Sequence, residues 1–111
     1  MNAALACFAA LSQATRLETI KLLVRAGETG LPAGDIARRL DISSTLLSAH
    51  LTKLNHAGLV TSRRDGRSII YRADYDTLRA LLQFLMAECC SASPAIVGDL
   101  DVTAFIEGAS Q

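Results

Sequence analysis

Apolar positions recur along this chain at helical spacing in five places, and β-forming residues cluster in two short runs between the fourth and fifth. Residues 3–12 are alanine-rich and favour helix. Leu17, Ile20, Leu23 and Val24 form the stripe of a second helix, capped by Ser12 or Thr15, running to about Ala26 and stopped at Gly27. Gly27-Glu28-Thr29-Gly30 reads as a turn, and Pro32 suits the entry of a third helix with Ile36, Ala37 and Leu40 on one face. After the short turn Asp41-Ile42-Ser43, Ser43 or Ser44 caps a fourth helix that reaches about Ala57 and stops at Gly58. Leu47, Leu51 and Leu54 are its inward positions.

Leu59–Arg63 and Ser68–Arg72 read as two strands joined around Asp65-Gly66, a strong hairpin signal. Asp74 caps a long fifth helix to about Cys90, and Ser91-Ala92-Ser93-Pro94 ends it. Residues 95–111 are small and acidic, with one short helical turn expected at Val102–Ile106. Helix, short turn, helix, then a hairpin with a charged tip is the order of a winged helix-turn-helix. The expected fold is therefore mainly α with a β-hairpin wing. Residues 1–92 are expected to form the DNA-binding and dimerisation domain, and residues 93–111 a C-terminal tail.

Composition narrows the function classes. A chain of 111 residues with 50% hydrophobic and 20% charged residues is one ordinary domain, too apolar for a disordered chain. No apolar run approaches the roughly 20 residues a bilayer span needs. The apolar nonamer Ala3–Leu11 lacks the preceding positive charge of a signal peptide, because the first basic residue is Arg16. Three cysteines do not make a secreted disulfide framework, so a cytoplasmic protein with reduced thiols is expected.

The zero net charge hides an asymmetry. Residues 36–72 carry seven basic groups against Asp41 and Asp65, a local charge of +5, and residues 73–111 carry −5. A polyanion meets the middle of the chain. Ser43, Ser44, Thr45, Ser48, Ala49 and Thr52 sit at the outward positions and N-terminus of the fourth helix. They are short, so the backbone can approach base edges in a major groove, and the hydroxyls can donate or accept. Lys53, Arg63, Arg64 and Arg67 suit phosphates, which supply affinity rather than sequence discrimination. His50 lies on the edge of the buried stripe and has two readings, a packed ring bonding a backbone carbonyl or a phosphate contact. His56 falls at the helix end, where a cation meets the dipole favourably.

Three ordered segments carry a resemblance: Leu31-Pro-Ala-Gly-Asp-Ile-Ala, then Ser44-Thr-Leu-Leu-Ser-Ala-His-Leu-Thr-Lys-Leu, then His56-Ala-Gly-Leu-Val-Thr-Ser-Arg-Arg-Asp-Gly-Arg. Together they resemble the ArsR-type, arsenic-responsive winged-helix repressors over roughly residues 3–90. Ser48, His50 and Leu51 match the family's Ser-x-His-Leu element. The resemblance implies a homodimer that binds double-stranded operator DNA and leaves it when an inducer binds.

Sensing sites differ within that family. The cysteine pair used by one arsenite-sensing branch at the third helix is absent, as are the histidine and carboxylate pairs of zinc sensors on the last helix. Ala87-Glu88-Cys89-Cys90 resembles the branch of arsenical repressors with a cysteine pair at the end of that helix. That branch often has a third cysteine downstream, where this chain has only Ser91, Ser93 and Ser110. Adjacent thiols suit a soft ion such as As(III) or Sb(III), acting as inducer rather than as a permanent cofactor. Two site readings stay open. Cys7 supplies a third ligand from the same or the partner subunit, or Cys89 and Cys90 act alone and favour a methylated arsenical. A thiol pair could also sense oxidants or persulfides.

Tyr75, Leu78, Leu82, Leu85 and Cys89 step by 3 and 4, an a/d seam that suits a dimer interface together with Leu5 and Phe8 of the first helix. A metalloid bound at the seam would alter the angle between protomers, whose recognition helices must lie about 34–36 Å apart. An enzyme is the rival class. No Gly-rich phosphate loop, Ser-His-Asp set, metal-hydrolase spacing or Cys-x-x-Cys pair is present, so no catalytic residue is assigned and a small thiol enzyme is disfavoured.

Overall fold

The computed structural model describes residues 2–89 and residue 95, with backbone only at Glu88 and Cys89. Apart from residue 95, the expected tail with its helical turn at Val102–Ile106, the residue Cys90 and the Cys89 side chain lie outside the described residues. The chain divides into two units, Met1–Arg79 and Ala80–Gln111.

The first unit holds the order α1 (Asn2–Leu11), α2 (Ala14–Ala26), a 3₁₀ turn (Gly27–Thr29), β1 (Leu31–Pro32), α3 (Ala33–Leu40), α4 (Ser44–His56), β2 (Val60–Asp65) and β3 (Ser68–Ala73). Helix α5 (Tyr75–Gln83) begins within it. This is a winged helix-turn-helix. Leu23, Ile36, Leu47, Leu51, Leu54, Leu59 and Val60 are sealed from solvent and form the core. Each such side chain contributes about 1.5–3 kcal/mol of transfer free energy.

The buried stripe of α2 is shifted from the expected one. Thr19, Ile20 and Leu23 are inside, while Leu17 and Val24 are exposed. Thr19 tolerates full burial because its hydroxyl donates to the Thr15 carbonyl at 2.7 Å. The cap of α2 also differs. Gln13 accepts from the Arg16 amide at 3.0 Å, whereas the Ser12 hydroxyl turns back to the Ala9 carbonyl and Thr15 lies inside the helix.

The sheet has three strands in the order β1-β3-β2, not two. Leu31 pairs with Tyr71 and Pro32 with Ile70, both antiparallel. Pro32 is tolerated because β1 is an edge strand, and it also serves as the N-cap residue of α3. Gly30 makes this pairing possible. A Cβ there would lie 2.3 Å from the Tyr71 carbonyl oxygen, and its φ of 73° is left-handed.

Caps at the later helices match the sequence. Ser43 Oγ accepts from the Leu46 amide at 3.1 Å, and Asp74 Oδ1 from the Thr77 amide at 3.1 Å. The α3–α4 turn is closed by Asp41 in a left-handed conformation, with φ 55°. The hairpin loop is one residue later than expected. Asp65 pairs with Ser68, so Gly66 and Arg67 form the two-residue loop, and only Gly66 has positive φ. That is the sign pattern of a type II′ turn rather than the I′ turn that Asp-Gly favours.

In the second unit the backbone widens at Phe84 into a π-helical stretch, Phe84–Cys89. A single α-helix to about Cys90 was expected. The 3-4 count that aligned Cys89 with Leu82 and Leu85 assumes 3.6 residues per turn, and that winding ends at Gln83. Among the described residues no helix is long and apolar enough to cross a membrane.

Candidate nucleic-acid interface

Burial fixes the rotation of α4. Leu47, His50, Leu51 and Leu54 face inward. Ser44, Thr45, Leu46, Ser48, Ala49, Thr52 and Lys53 are therefore left on its exposed faces, as is Ser43 at the cap. The hydroxyl face expected from the sequence is thus exposed together. Thr52 has already committed its proton, donating to the Ser48 carbonyl at 2.9 Å, so toward a ligand it can only accept. Leu46 was not singled out by sequence reasoning. It is 47% exposed at the N-terminal half of this helix.

The wing presents Arg63, Arg64 and Arg67 on exposed backbone. Arg63 is anchored, its Nη2 donating to the Thr29 carbonyl at 2.8 Å, which ties the wing to the 3₁₀ turn. Arg72 Nε donates to Thr61 Oγ1 across the hairpin at 3.2 Å. Arg64 and Arg67 make no such bond among the described residues. The ion pairs among the described residues are Lys21–Glu18, Arg38–Asp35 and Arg79–Asp76. None of them neutralises Lys53 or a wing arginine, so these cations are available to phosphates.

His50 is packed, with a partner that differs from the expected carbonyl. It is 9% exposed, and its Nδ1 lies 3.3 Å from Arg16 Nη1. A guanidinium can only donate, so Nδ1 is the acceptor and the proton sits on Nε2. Burial first, then the charges of Arg16 and Lys53, pushes the His50 pKa below its ordinary value. The ring is a neutral packing element behind the exposed face, and its partner is an arginine rather than a carbonyl. Arg16 Nε also donates to the Ala10 carbonyl at 2.5 Å, so this side chain joins α1, α2 and α4. Arg16 carried no local signal of that role, because its partner is 34 residues away.

Cys7 is 3% exposed, and its thiol points to the Ala57 carbonyl at 3.5 Å. Burial raises its pKa above the usual thiol value, favouring the protonated form. Among the described residues no three His, Cys, Asp or Glu side chains cluster as a metal site. Of the seam residues, Leu5, Phe8, Tyr75 and Leu82 are exposed, with Leu82 at 60%, and Leu78 and Leu85 are half-buried.

A helix-turn-helix domain family matches residues 11–63. The chain is 34% identical to an ArsR-like transcriptional regulator from Rhodococcus sp. RHA1, covering 87% of this chain and 92% of that one, with a TM-score of 0.68. The chain belongs to the ArsR-like family of winged helix-turn-helix transcriptional regulators. A second solved structure, Mb0332 from Mycobacterium bovis, is described as a homodimeric winged helix-turn-helix DNA-binding domain of a possible ArsR-family regulator. It is 28% identical with a TM-score of 0.64, covering 73% of each chain. Among sequence relatives, a putative arsenical resistance operon repressor from Halobacterium salinarum is 37% identical over 67 residues, 60% of this chain and 51% of that one. A probable mercury resistance operon repressor from Streptomyces lividans is 29% identical over 92 residues, 83% of this chain and 70% of that one. An ArsR-like regulator has DNA as its partner, and the exposed face of α4 and the wing are the candidate elements for meeting it.

Proposed function

We propose that this regulator is a cytoplasmic homodimeric repressor, released from its operator when As(III) or Sb(III) binds the thiolates of Cys89 and Cys90. The observation that carries this reading is the adjacent pair itself, two soft donors in sequence beyond every DNA-facing residue. Relatives named for arsenical and mercury resistance support a thiophilic inducer. The environment of Cys7 weighs against it as a third ligand: its thiol is buried, bonded within the subunit and held protonated. Two thiolates satisfy a monomethylated arsenical, whereas arsenite prefers three, so methylarsenite is the favoured inducer. The homodimer reading rests on the exposed apolar residues Leu5, Phe8, Tyr75 and Leu82 and on the dimeric Mb0332. The test is release of labelled upstream DNA, followed by fluorescence anisotropy, as arsenite, antimonite, methylarsenite, zinc, cadmium or peroxide is added. Release by methylarsenite at the lowest concentration is expected. Release by zinc alone overturns the reading, and release by peroxide alone replaces it with a redox switch.

A further inference from the structure

We propose that Leu46, with Ala49 beside it, reads thymine 5-methyl groups on the floor of the major groove. The inference rests on α4 being the base-reading element and names a specificity determinant within it.

Four observations lead there. The rotation of α4 is fixed by three sealed leucines, Leu47, Leu51 and Leu54, so Leu46 cannot turn inward without expelling one of them. The backbone at Leu46 is held as well, because its amide donates to Ser43 Oγ. Leu46, Ala49 and Lys53 fall at i, i+3 and i+7, one row along the helix. All three are exposed.

That row is two apolar groups followed by a cation. A major groove offers the matching order, with thymine methyls on the floor and phosphates at the rim. The rest of the exposed face favours a polyanion over an apolar protein partner. Ser44, Thr45 and Ser48 are hydrogen-bonding groups, and Lys53 has no ion-pair partner among the described residues.

The chemistry also needs such a residue. Serine and threonine hydroxyls can donate or accept and so discriminate bases poorly. A thymine methyl is a distinguishing mark read by an apolar group, and Leu46 is the largest apolar side chain exposed on α4. An apolar side chain covering it gains roughly the transfer free energy of one methyl group, about fourfold in affinity per methyl.

The test uses the whole chain and a duplex that it selects from a random pool. Each thymine of the selected site is replaced in turn by uracil, which removes the methyl and leaves the pairing edges unchanged. The parent is expected to lose about fourfold at one or two positions per half-site. Leu46→Ser should bind the thymine duplex about fourfold more weakly and show no further loss on the uracil duplex at those positions. Leu46→Met should keep the sensitivity. The proposal is overturned if the parent is indifferent to every uracil, an outcome that needs no variant to fold, or if Leu46→Ser remains sensitive at the same positions. If Ser48→Ala still erodes selectivity while the uracils have no effect, only Leu46 is misassigned. If no sequence is enriched from the pool, base reading by α4 fails, and this proposal with it.

Discussion

The guanidinium of Arg16 stands 3.3 Å from Nδ1 of His50 and pins the first turn of α2 to the middle of α4. The same arginine holds the last turn of α1 through the Ala10 carbonyl. Helix α1 is thereby tied to the candidate recognition helix α4. The bond requires a neutral ring, since an imidazolium Nδ1 would point its own proton at the cation.

Acid should therefore loosen this junction. The folded-state pKa of His50 lies below the ordinary 6.5. As pH falls through 6.5 the unfolded chain takes up the proton before the folded one does, so stability declines. It is fully present above about pH 6.5 and is lost down to the lowered folded value. Urea unfolding of the parent between pH 7.5 and 5 should show this decline. His50→Gln, which keeps an acceptor and does not titrate, should show a smaller slope. Equal slopes would mean that other groups carry the acid sensitivity.

Among the described glycines, Gly30 is the one where a side chain meets backbone. A methyl there meets the Tyr71 carbonyl oxygen at 2.3 Å, and that oxygen belongs to the central strand and cannot swing away. The left-handed φ adds about 1–2 kcal/mol for any L-residue. Gly30→Ala should cost at least ~2 kcal/mol in denaturant unfolding. Gly27→Ala, with an equally positive φ but no neighbour within 4 Å, should cost only the backbone part. Equal losses at the two sites would contradict the close approach of β1 to β3.

Contacts with DNA should separate by type. Lys53→Ala and Arg67→Ala should weaken binding to every sequence and reduce the salt slope by about one unit for each phosphate contact removed. Ser48→Ala should leave the salt slope alone and erode discrimination between operator and random DNA, by less than the roughly 1–3 kcal/mol of a bidentate side-chain–base pair. Anisotropy titrations at several salt concentrations distinguish these outcomes. A salt-slope change with Ser48→Ala would move that residue from base to backbone.

Local features of this fold were legible in the sequence, and features made by distant partners were not. Ser43 and Asp74 were readable because a cap needs only the amide three residues on. The inward leucines of α4 followed from periodicity alone. Strand β1 left no signal, since two residues that include a proline become a strand only by pairing with residues 70 and 71. Thr19 hid from the hydrophobic pattern because its hydroxyl is satisfied inside its own helix. The hairpin register slipped by one because Asp65 is held in the ladder opposite Ser68, which overrides the local preference of Asp-Gly. At the candidate interface the hydroxyls and cations were visible as residue types, whereas the burial of His50 depends on Arg16, a partner no local motif reveals.

Assembly should follow the apolar residues left uncovered. Leu5 at 58% and Leu82 at 60% exposure are large side chains in contact with water in the single subunit. A homodimer would cover such surface. Sedimentation at micromolar concentration should show a dimer. Leu82→Glu should shift it toward monomer and weaken operator binding, because one subunit engages only one half-site. A parent that sediments as a monomer would remove the interface assigned to these helices.

Replacing both Cys89 and Cys90 by serine should give a repressor that binds its operator and cannot be induced. The candidate recognition helix and wing occupy residues 43–72, and Asp74 caps a separate helix before the pair is reached. Serine is close to cysteine in size, so the change removes the soft thiolates with little change in volume, and a hydroxyl is a poor ligand for a thiophilic ion. Each single substitution should also abolish induction, because losing the second thiolate removes the effective-concentration advantage of a chelate. Cys7→Ser tests the other cysteine in the same assay. Its thiol is buried, protonated and directed at Ala57, so the variant should respond to methylarsenite and arsenite as the parent does, with at most a stability loss. A selective loss of the arsenite response would make Cys7 a ligand after all. If the double variant still releases DNA at parental arsenical concentrations, the inducer binds elsewhere and the pair is not the sensor.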